Sequence, residues 1–129
     1  MTPEAKVKAE IVAYLKSVGA WYDNNVRTGY GRAGVPDLVC CYRGRFLAIE
    51  VKASGAKAPT PYQRRELAAI VQAGGRAIVA WEVFHVMEEI KAIDGECTTD
   101  DLLDAFNKSR GNVVEELPDG SYRRKPIPF

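Results

Sequence analysis

The sequence predicts an α/β fold in which a small mixed β-sheet is flanked by helices. Three observations support this: residues 3–18 have helical periodicity, residues 37–52 contain two strand-like stretches around a turn signal, and residues 60–81 combine a helix pattern with an apolar strand. Strands interleaved with helices in this way pack as a sheet with helices on its faces. The chain has 129 residues, of which 47% are hydrophobic, and this is enough for one such core.

The N-terminal segment is predicted to be a helix followed by a short strand. A threonine, a proline and a glutamate at residues 2–4 are typical of a helix start, and Gly19 ends the apolar periodicity that follows. Residues 21–26 are rich in strand-forming types. The glycine-rich residues 27–34 are predicted to form a loop that can approach a ligand closely.

Residues 37–52 are predicted to form an antiparallel hairpin around the turn signal Arg43-Gly44. Asp37 opens the first strand and Glu50 lies late in the second, so pairing returns Glu50 close to Asp37. Because strand side chains alternate between faces, Glu50 and Lys52 project to the same side. Three polar groups are therefore expected at one point of the sheet.

Residues 60–81 are predicted to supply a helix and the last strand of the sheet. Thr60 begins a helix that reaches about residue 73, Gly74-Gly75 ends it, and residues 76–81 form a buried strand that completes a mixed sheet.

Beyond this strand, two more helices are expected to cover the sheet, over residues 83–93 and 99–109. Residues 113–125 contain a Pro-Asp-Gly turn signal, which suits either a terminal hairpin or a loose arm.

The grouping of Asp37, Glu50 and Lys52 suits metal-assisted hydrolysis of a phosphodiester. Two carboxylates at one point repel each other unless a cation lies between them, and hard oxygen ligands favour magnesium or manganese over zinc. Lys52 then has three open roles: it could orient a bound water, deprotonate it, or stabilise charge on the phosphorane. In the alternative interpretation, Asp37 caps a strand start, while Glu50 and Lys52 form an exposed, salt-bridged face.

Gln63 has two interpretations. Thr60 and Gln63 have the spacing of a capping box, and Pro61 is tolerated in the first turn, so helix stability alone explains the glutamine. A helix N-terminus that points at the carboxylates would also favour a phosphate there. A contribution of Gln63 to the site therefore stays open.

The segments Gly34-Val35-Pro36-Asp37 and Phe46 to Lys52, with Gln63 after them, resemble the PD-(D/E)xK nucleases. The resemblance is most specific to the small stand-alone VRR-NUC domains of phages and prophages, and it extends from about residue 3 to about residue 81. Archaeal Holliday-junction resolvases share the same core. The resemblance implies a restriction-endonuclease-like nuclease core, which we expect in residues 1–95. The resemblance does not extend to the tail, and residues 96–129 are predicted from their own pattern to form a C-terminal helix and a hairpin or arm.

The resemblance also implies a function: a DNA endonuclease that depends on Mg²⁺ or Mn²⁺. Its implied substrate is structured or branched DNA, such as a Holliday junction, and it is implied to act as a homodimer. The implied catalytic residues are Asp37, Glu50, Lys52 and Gln63. The implied metal ligands are Asp37, Glu50, the backbone carbonyl of Val51 and Glu4. Glu4 is preferred to Glu10 as the helix glutamate, although a glutamate in a first helical turn is also favourable by itself.

The expected DNA contacts come from the loop at residues 27–34, from a second predicted loop at residues 53–59 and from the helix that begins at Thr60. Residues 1–81 carry 12 Lys and Arg against 6 Asp and Glu, whereas residues 82–129 carry 6 against 11. A basic segment that coincides with the motif suits phosphate binding. For the loop residues, the alternative is a solvated basic surface. The expected DNA-binding residues are Arg27, Tyr30, Arg32, Lys57 and Arg64.

Composition argues against several other classes of protein. His85 is the only histidine, which disfavours histidine-metal nucleases and a Ser-His-Asp triad, and a surface or packing role is expected for it. No P-loop or dinucleotide fingerprint is present, so no nucleotide cofactor is expected. The sequence has neither a membrane-span pattern nor a signal peptide, and we expect a soluble, cytoplasmic, phage- or prophage-encoded protein. Three cysteines without paired spacing indicate a reducing compartment, and Cys40 and Cys41 are expected to pack within a strand.

Two functions of different classes fit the sequence: a metal-dependent nuclease and a catalytically silent DNA-binding module on the same fold. A silent module has no need of Asp37, Glu50 and Lys52 together. The intact set therefore favours the enzyme.

Overall fold

The computed structural model of the chain describes residues 1–24, 34–53, 58–96 and 114–124. The chain divides into two compact units, Met1–Gly95 and Glu96–Phe129. None of the helices in the described ranges combines the length and the apolar composition that crossing a bilayer would require. The elements that form the first unit are α1 (Pro3–Ser17), β1 (Trp21–Asn24), β2 (Leu38–Tyr42), β3 (Arg45–Val51), α2 (Pro61–Gln72), β4 (Arg76–Ala80) and α3 (Val83–Glu96).

The sheet of the first unit has the strand order β1-β2-β3-β4. Both β1 with β2 and β2 with β3 pair antiparallel, whereas β3 and β4 pair parallel, which confirms the predicted mixed sheet. Parallel neighbours need a crossover connection, and α2 supplies it between β3 and β4.

One face of the sheet packs against α1 and α3, and α2 lies on the other. Residues 47–51 of β3 are all buried, because this central strand is covered on both faces. On the α2 side, a Cβ at Gly75 would lie 2.9 Å from Ile70 Cγ2 and 3.2 Å from Phe46 Cδ1, so the turn after α2 packs closely on β3. The apolar layer between the sheet and α1 and α3 consists of Ile11, Leu15, Ala20, Leu38, Cys40, Leu47, Ile49, Val51, Ala80, Val86, Ile90 and Ile93.

Side chains near the helix starts accept the backbone N–H groups that a helix leaves without partners. Thr2 Oγ1 accepts from the N–H of Ala5 at 3.1 Å at the start of α1. At the start of α3, His85 Nδ1 accepts from the N–H groups of Trp81 at 3.3 Å and Glu82 at 3.2 Å. The single histidine therefore stabilises a helix start, which explains its position without any chemistry.

Two sequence expectations differ from the structure. Cys41, which was expected to pack within the sheet, is exposed, because α2 does not cover the face of β2 on which it lies. Trp81, expected as the last residue of a strand, instead follows β4 and meets the ring of His85 edge-on at 5.8 Å between centroids. The end of the predicted strand at residues 25–26 and the predicted helix at residues 99–109 lie outside the described residues.

The described part of the second unit is an antiparallel hairpin of β5 (Val114–Glu116) and β6 (Tyr122–Arg124). The carbonyl of Leu117 accepts from the N–H of Gly120 at 2.9 Å, and Gly120 has the positive φ of 88° that the turn requires. Hydrogen bonds from the hydroxyl and the N–H of Ser121 lower the pKa of the Asp119 carboxyl. Of the two forms expected for this segment, the hairpin is the one observed.

Candidate active site

Two carboxylates meet where β2 begins and β3 ends. The last paired residues there are Leu38 and Ile49, so Asp37, one residue before β2, lies opposite Glu50. Opposite residues of antiparallel strands have their Cβ atoms roughly 5 Å apart and project to the same face. Asp37 Oδ2 accepts a hydrogen bond from the N–H of Val51 at 3.1 Å, which fixes this carboxylate against the end of β3.

Glu50 is a buried carboxylate in the central strand, with only 2% of its surface exposed. Burying a charged group costs free energy unless hydrogen bonds compensate. Gln63, which is also buried, donates from Nε2 to Glu50 Oε1 at 2.6 Å. The alternative in which Glu50 belongs to an exposed, salt-bridged face is therefore wrong.

The amide of Gln63 serves both the start of α2 and the carboxylate. Its Oε1 accepts from the N–H of Thr60 at 2.9 Å, and Thr60 Oγ1 accepts from the N–H of Gln63 at 3.2 Å. This is the predicted capping box, and it is confirmed. The opposite end of the same amide holds Glu50. The two interpretations of Gln63 thus combine, because the helix start orients the group that contacts the carboxylate.

Gly34 brings the segment that carries Asp37 onto the first turn of α2. It has a φ of +84°, and a Cβ at this position would lie 2.4 Å from the carbonyl carbon of Tyr62 and 2.7 Å from the backbone N of Gln63. Both the backbone conformation and the close approach require glycine. Asp37 and Gln63 are therefore held by two segments in direct backbone contact.

Lys52 follows β3 directly. Its N–H donates to the carbonyl of Ala80 at 2.9 Å, which extends the pairing of β3 with β4 beyond Val51, and its side chain is half-buried. Alternation along an extended chain places this side chain on the same face of the sheet as Glu50.

Comparison with known proteins identifies the family of this arrangement. The chain is 38% identical, over 77 residues, to a protein of Acyrthosiphon pisum secondary endosymbiont phage 1 named "Putative nuclease p44"; the match covers 59% of this chain and 80% of the phage protein. A solved structure described as a VRR_NUC domain is similar with a TM-score of 0.60 and 27% identity, over 70% of this chain and 97% of that chain. No family model matches the chain.

The chain belongs to the VRR-NUC nucleases. The expected restriction-endonuclease-like fold, a four-stranded mixed sheet with flanking helices, is confirmed by this similarity.

The donor atoms at the carboxylate pair of this VRR-NUC nuclease fit a hard divalent cation. Asp37 and Glu50 supply carboxylate oxygens, and the peptide of Val51 lies against Asp37. Oxygen donors of this kind suit Mg²⁺ and Mn²⁺. Within the described ranges, no group of three or more His, Cys, Asp or Glu side chains is placed to hold a metal ion. A pair of carboxylates is nevertheless typical of Mg²⁺ sites, in which water and substrate phosphate complete the shell.

Of the remaining predicted site residues, Glu4 and Arg64 are exposed, and the others lie outside the described ranges. Glu4 and Glu10 are both exposed on α1, and neither forms a metal-binding group with Asp37 and Glu50 among the described residues, so the ligand role of Glu4 stays a prediction. Arg64 is exposed in the second turn of α2. The other expected DNA contacts, Arg27, Tyr30, Arg32 and Lys57, lie outside the described residues.

Two residues next to the site were not singled out in the sequence. Tyr62 and Arg65 are exposed, and the guanidinium carbon of Arg65 lies 5.6 Å from the centroid of the Tyr62 ring. Their spacing of three residues, on either side of Gln63 in a predicted helix, is a signal that could have identified them.

A thiol nucleophile is disfavoured on the opposite face of the sheet, because burial raises the pKa of Cys40 to about 11.

Proposed function

We propose that this VRR-NUC nuclease is a DNA endonuclease that depends on Mg²⁺ or Mn²⁺. The observation that carries the proposal is the fixed carboxylate pair: Asp37 is held by the N–H of Val51, and the buried Glu50 is held by Gln63. Carboxylates oriented in this way by neighbouring hydrogen bonds are preorganised to bind a cation.

The residues of the chain divide the work of phosphodiester hydrolysis among them. Asp37, Glu50 and the carbonyl of Val51 would hold the cation, which when bound lowers the pKa of a water and offsets charge on the phosphate. Gln63 keeps Glu50 in place. Lys52, on the same face, brings positive charge to the phosphate oxygens as negative charge develops on them.

The proposed substrate is structured or branched DNA, with the four-way Holliday junction as one candidate. The excess of basic over acidic residues in residues 1–81 supports a polyanionic partner for the unit that carries the carboxylates. Incubation with fluorescent duplex, flap, single-stranded and four-way DNA, in Mg²⁺ and in Mn²⁺, tests this. Cutting of branched DNA in preference to linear duplex is expected. Equal cutting of all forms would remove the branched-DNA specificity, and no cutting in any ion would favour the silent DNA-binding module.

We also propose that the nuclease works as a two-fold homodimer, so that two sites act on two strands. An apolar row supports this: Trp21 pairs with Cys41, Cys41 pairs with Phe46, and all three side chains are exposed on one sheet face. Trp21 is 61% and Phe46 is 44% exposed, and two exposed aromatic side chains on either side of Cys41 form an apolar surface that suits an isologous contact.

Light scattering at micromolar concentration tests the assembly. A dimeric mass is expected, and it should become monomeric in Trp21→Glu. The matched control is Phe84→Glu, which charges an aromatic residue of similar exposure on α3. A monomeric mass for the unaltered chain would refute the dimer, and loss of the dimer only in the control would place the contact on α3.

A further inference from the structure

An aromatic residue and an arginine form an exposed pair at the start of α2. Tyr62 is 57% exposed, and the Arg65 guanidinium lies 5.6 Å from its ring centroid. Residues three apart on a helix are neighbours, and a cation over a ring face is attracted to it, so the pair orients itself. The core does not use this ring, because α2 turns Gln63 and Ile70 towards the sheet.

The Tyr62–Arg65 pair lies beside the carboxylates of Asp37 and Glu50, and the backbone that carries Tyr62 is fixed. Tyr62 immediately precedes Gln63, whose amide holds Glu50 at 2.6 Å. Consecutive residues are about 100° apart around a helix, so the ring flanks the carboxylate pair and does not enter it. The backbone of Tyr62 is held by the capping box below it and by the close approach of Gly34.

The charge around the pair suits a polyanion. The first turn of α2 contains no acidic residue, both Arg64 and Arg65 are exposed, and Glu66, the first acidic residue of the helix, is less exposed than either arginine. The N-terminus of the helix adds partial positive charge. An exposed ring with neighbouring cations is the combination by which proteins hold unpaired nucleotides: the base stacks on the ring, and the cation binds a phosphate. A base within a duplex is covered on both faces by its neighbours and is not available for such stacking.

We propose that Tyr62 and Arg65 form a docking site for an unpaired nucleotide of DNA next to the carboxylate pair, with the base on the Tyr62 ring and a phosphate on Arg65. This rests on the proposed DNA endonuclease function and narrows its substrate class. Branched DNA that carries unpaired nucleotides at the branch is preferred over DNA in which every base is paired.

Binding measured without cutting tests the docking site. Fluorescence anisotropy in Ca²⁺, with a labelled DNA fork that has one unpaired arm, should show at least about tenfold weaker binding for Tyr62→Ala. Tyr62→Phe should bind as the unaltered protein does, because it keeps the ring. The matched control is Phe84→Ala, which removes a similarly exposed ring on α3 and should leave binding unchanged. For a fully paired duplex, Tyr62→Ala should have no effect.

An abasic series identifies the stacked base. Each unpaired nucleotide of the fork is replaced in turn by an abasic one, and one position should weaken binding to the unaltered protein about as much as Tyr62→Ala does. At that position the two losses should not add. If no position is sensitive, or if the losses add at every position, or if Tyr62→Ala weakens duplex binding equally, base stacking on Tyr62 is refuted.

The outcome is separable from that of the nuclease proposal. Asp37→Ala should keep the coupling between Tyr62 and the sensitive base while cutting at least ~10²-fold more slowly in Mg²⁺. Coupling without any cutting by the unaltered protein would refute the nuclease proposal alone. Cutting of the fork without coupling would refute the docking site alone.

Discussion

Replacement of Gln63 by alanine tests whether the buried carboxylate depends on the start of α2. The variant loses the 2.6 Å hydrogen bond to Glu50 and the acceptor for the N–H of Thr60. A hydrogen bond to a charged group contributes roughly 1.5–3 kcal/mol, and a helix cap contributes about 1 kcal/mol. Because Gln63 and Glu50 are both buried, water replaces the amide poorly. We expect the free energy of unfolding to fall by roughly 2–4 kcal/mol.

Urea denaturation followed by tryptophan fluorescence and circular dichroism measures this loss. The matched control is Gln72→Ala at the exposed end of the same helix, which should change the free energy of unfolding by no more than about 0.5 kcal/mol. Thr60→Ala removes the other half of the capping box but keeps the contact with Glu50, and it should cost about 1 kcal/mol. The difference between Gln63→Ala and Thr60→Ala then measures the contact with the carboxylate.

Equal losses in Gln63→Ala and Thr60→Ala would refute this reasoning, because the amide would then stabilise only the helix. Gln63→Glu tests whether the contact with Glu50 depends on the uncharged amide of the glutamine. It keeps an acceptor for the N–H of Thr60 but sets a second carboxylate against Glu50, so it should be less stable than Gln63→Ala at neutral pH.

Three further predictions concern the chemistry of the chain. Asp37→Ala, Glu50→Ala and Lys52→Ala should each slow DNA cutting at least ~10²-fold in single-turnover assays; full activity of Lys52→Ala would remove that lysine from the reaction. Cutting should require Mg²⁺ or Mn²⁺, with Ca²⁺ supporting binding but little hydrolysis, and any cutting after the metal has been stripped by a chelator would contradict the mechanism. Burial, reinforced by the neighbouring Cys41, raises the pKa of Cys40 to about 11, so an alkylating reagent at mildly alkaline pH should modify the exposed Cys41 and spare Cys40 in the monomeric Trp21→Glu variant, where no partner subunit covers Cys41. Fragment mass spectrometry distinguishes the two thiols, and equal labelling would show that Cys40 is accessible.

The local features of the site could be predicted from the sequence because neighbours along the chain determine them. Tyr42 pairs with Arg45 around a two-residue turn in which Arg43 has a φ of 49° and Gly44 a φ of 80°. Such a turn fixes the register of a hairpin, and the register alone sets Asp37 opposite Glu50. The capping box likewise depends on residues three apart.

The features that depend on the position of α2 could not be predicted. Gly34 contacts the backbone of Tyr62 across 28 positions of sequence, and no local pattern encodes that approach. Cysteine in an apolar strand is usually buried, which is why burial was expected for Cys41. However, α2 packs against β3 and β4 and leaves the face of β2 that carries Cys41 exposed. Which strands a helix covers is a tertiary property, so alternation predicted the face of each side chain but not its burial.

The location of the proposed active site follows from the directions of the strands. A helix that connects two parallel strands runs antiparallel to them. The N-terminus of α2 therefore lies at the C-terminal end of β3, where Glu50 and Lys52 lie. Because β2 runs antiparallel to β3, it begins at this same end and delivers Asp37 there. The helix N-terminus contributes partial positive charge, which favours the phosphate that the carboxylates and the lysine would act on. A shift of one residue along β3 would turn the Glu50 side chain into the apolar layer beneath α1 and α3, so exchanging Glu50 with Val51 would remove the site and destabilise the core together.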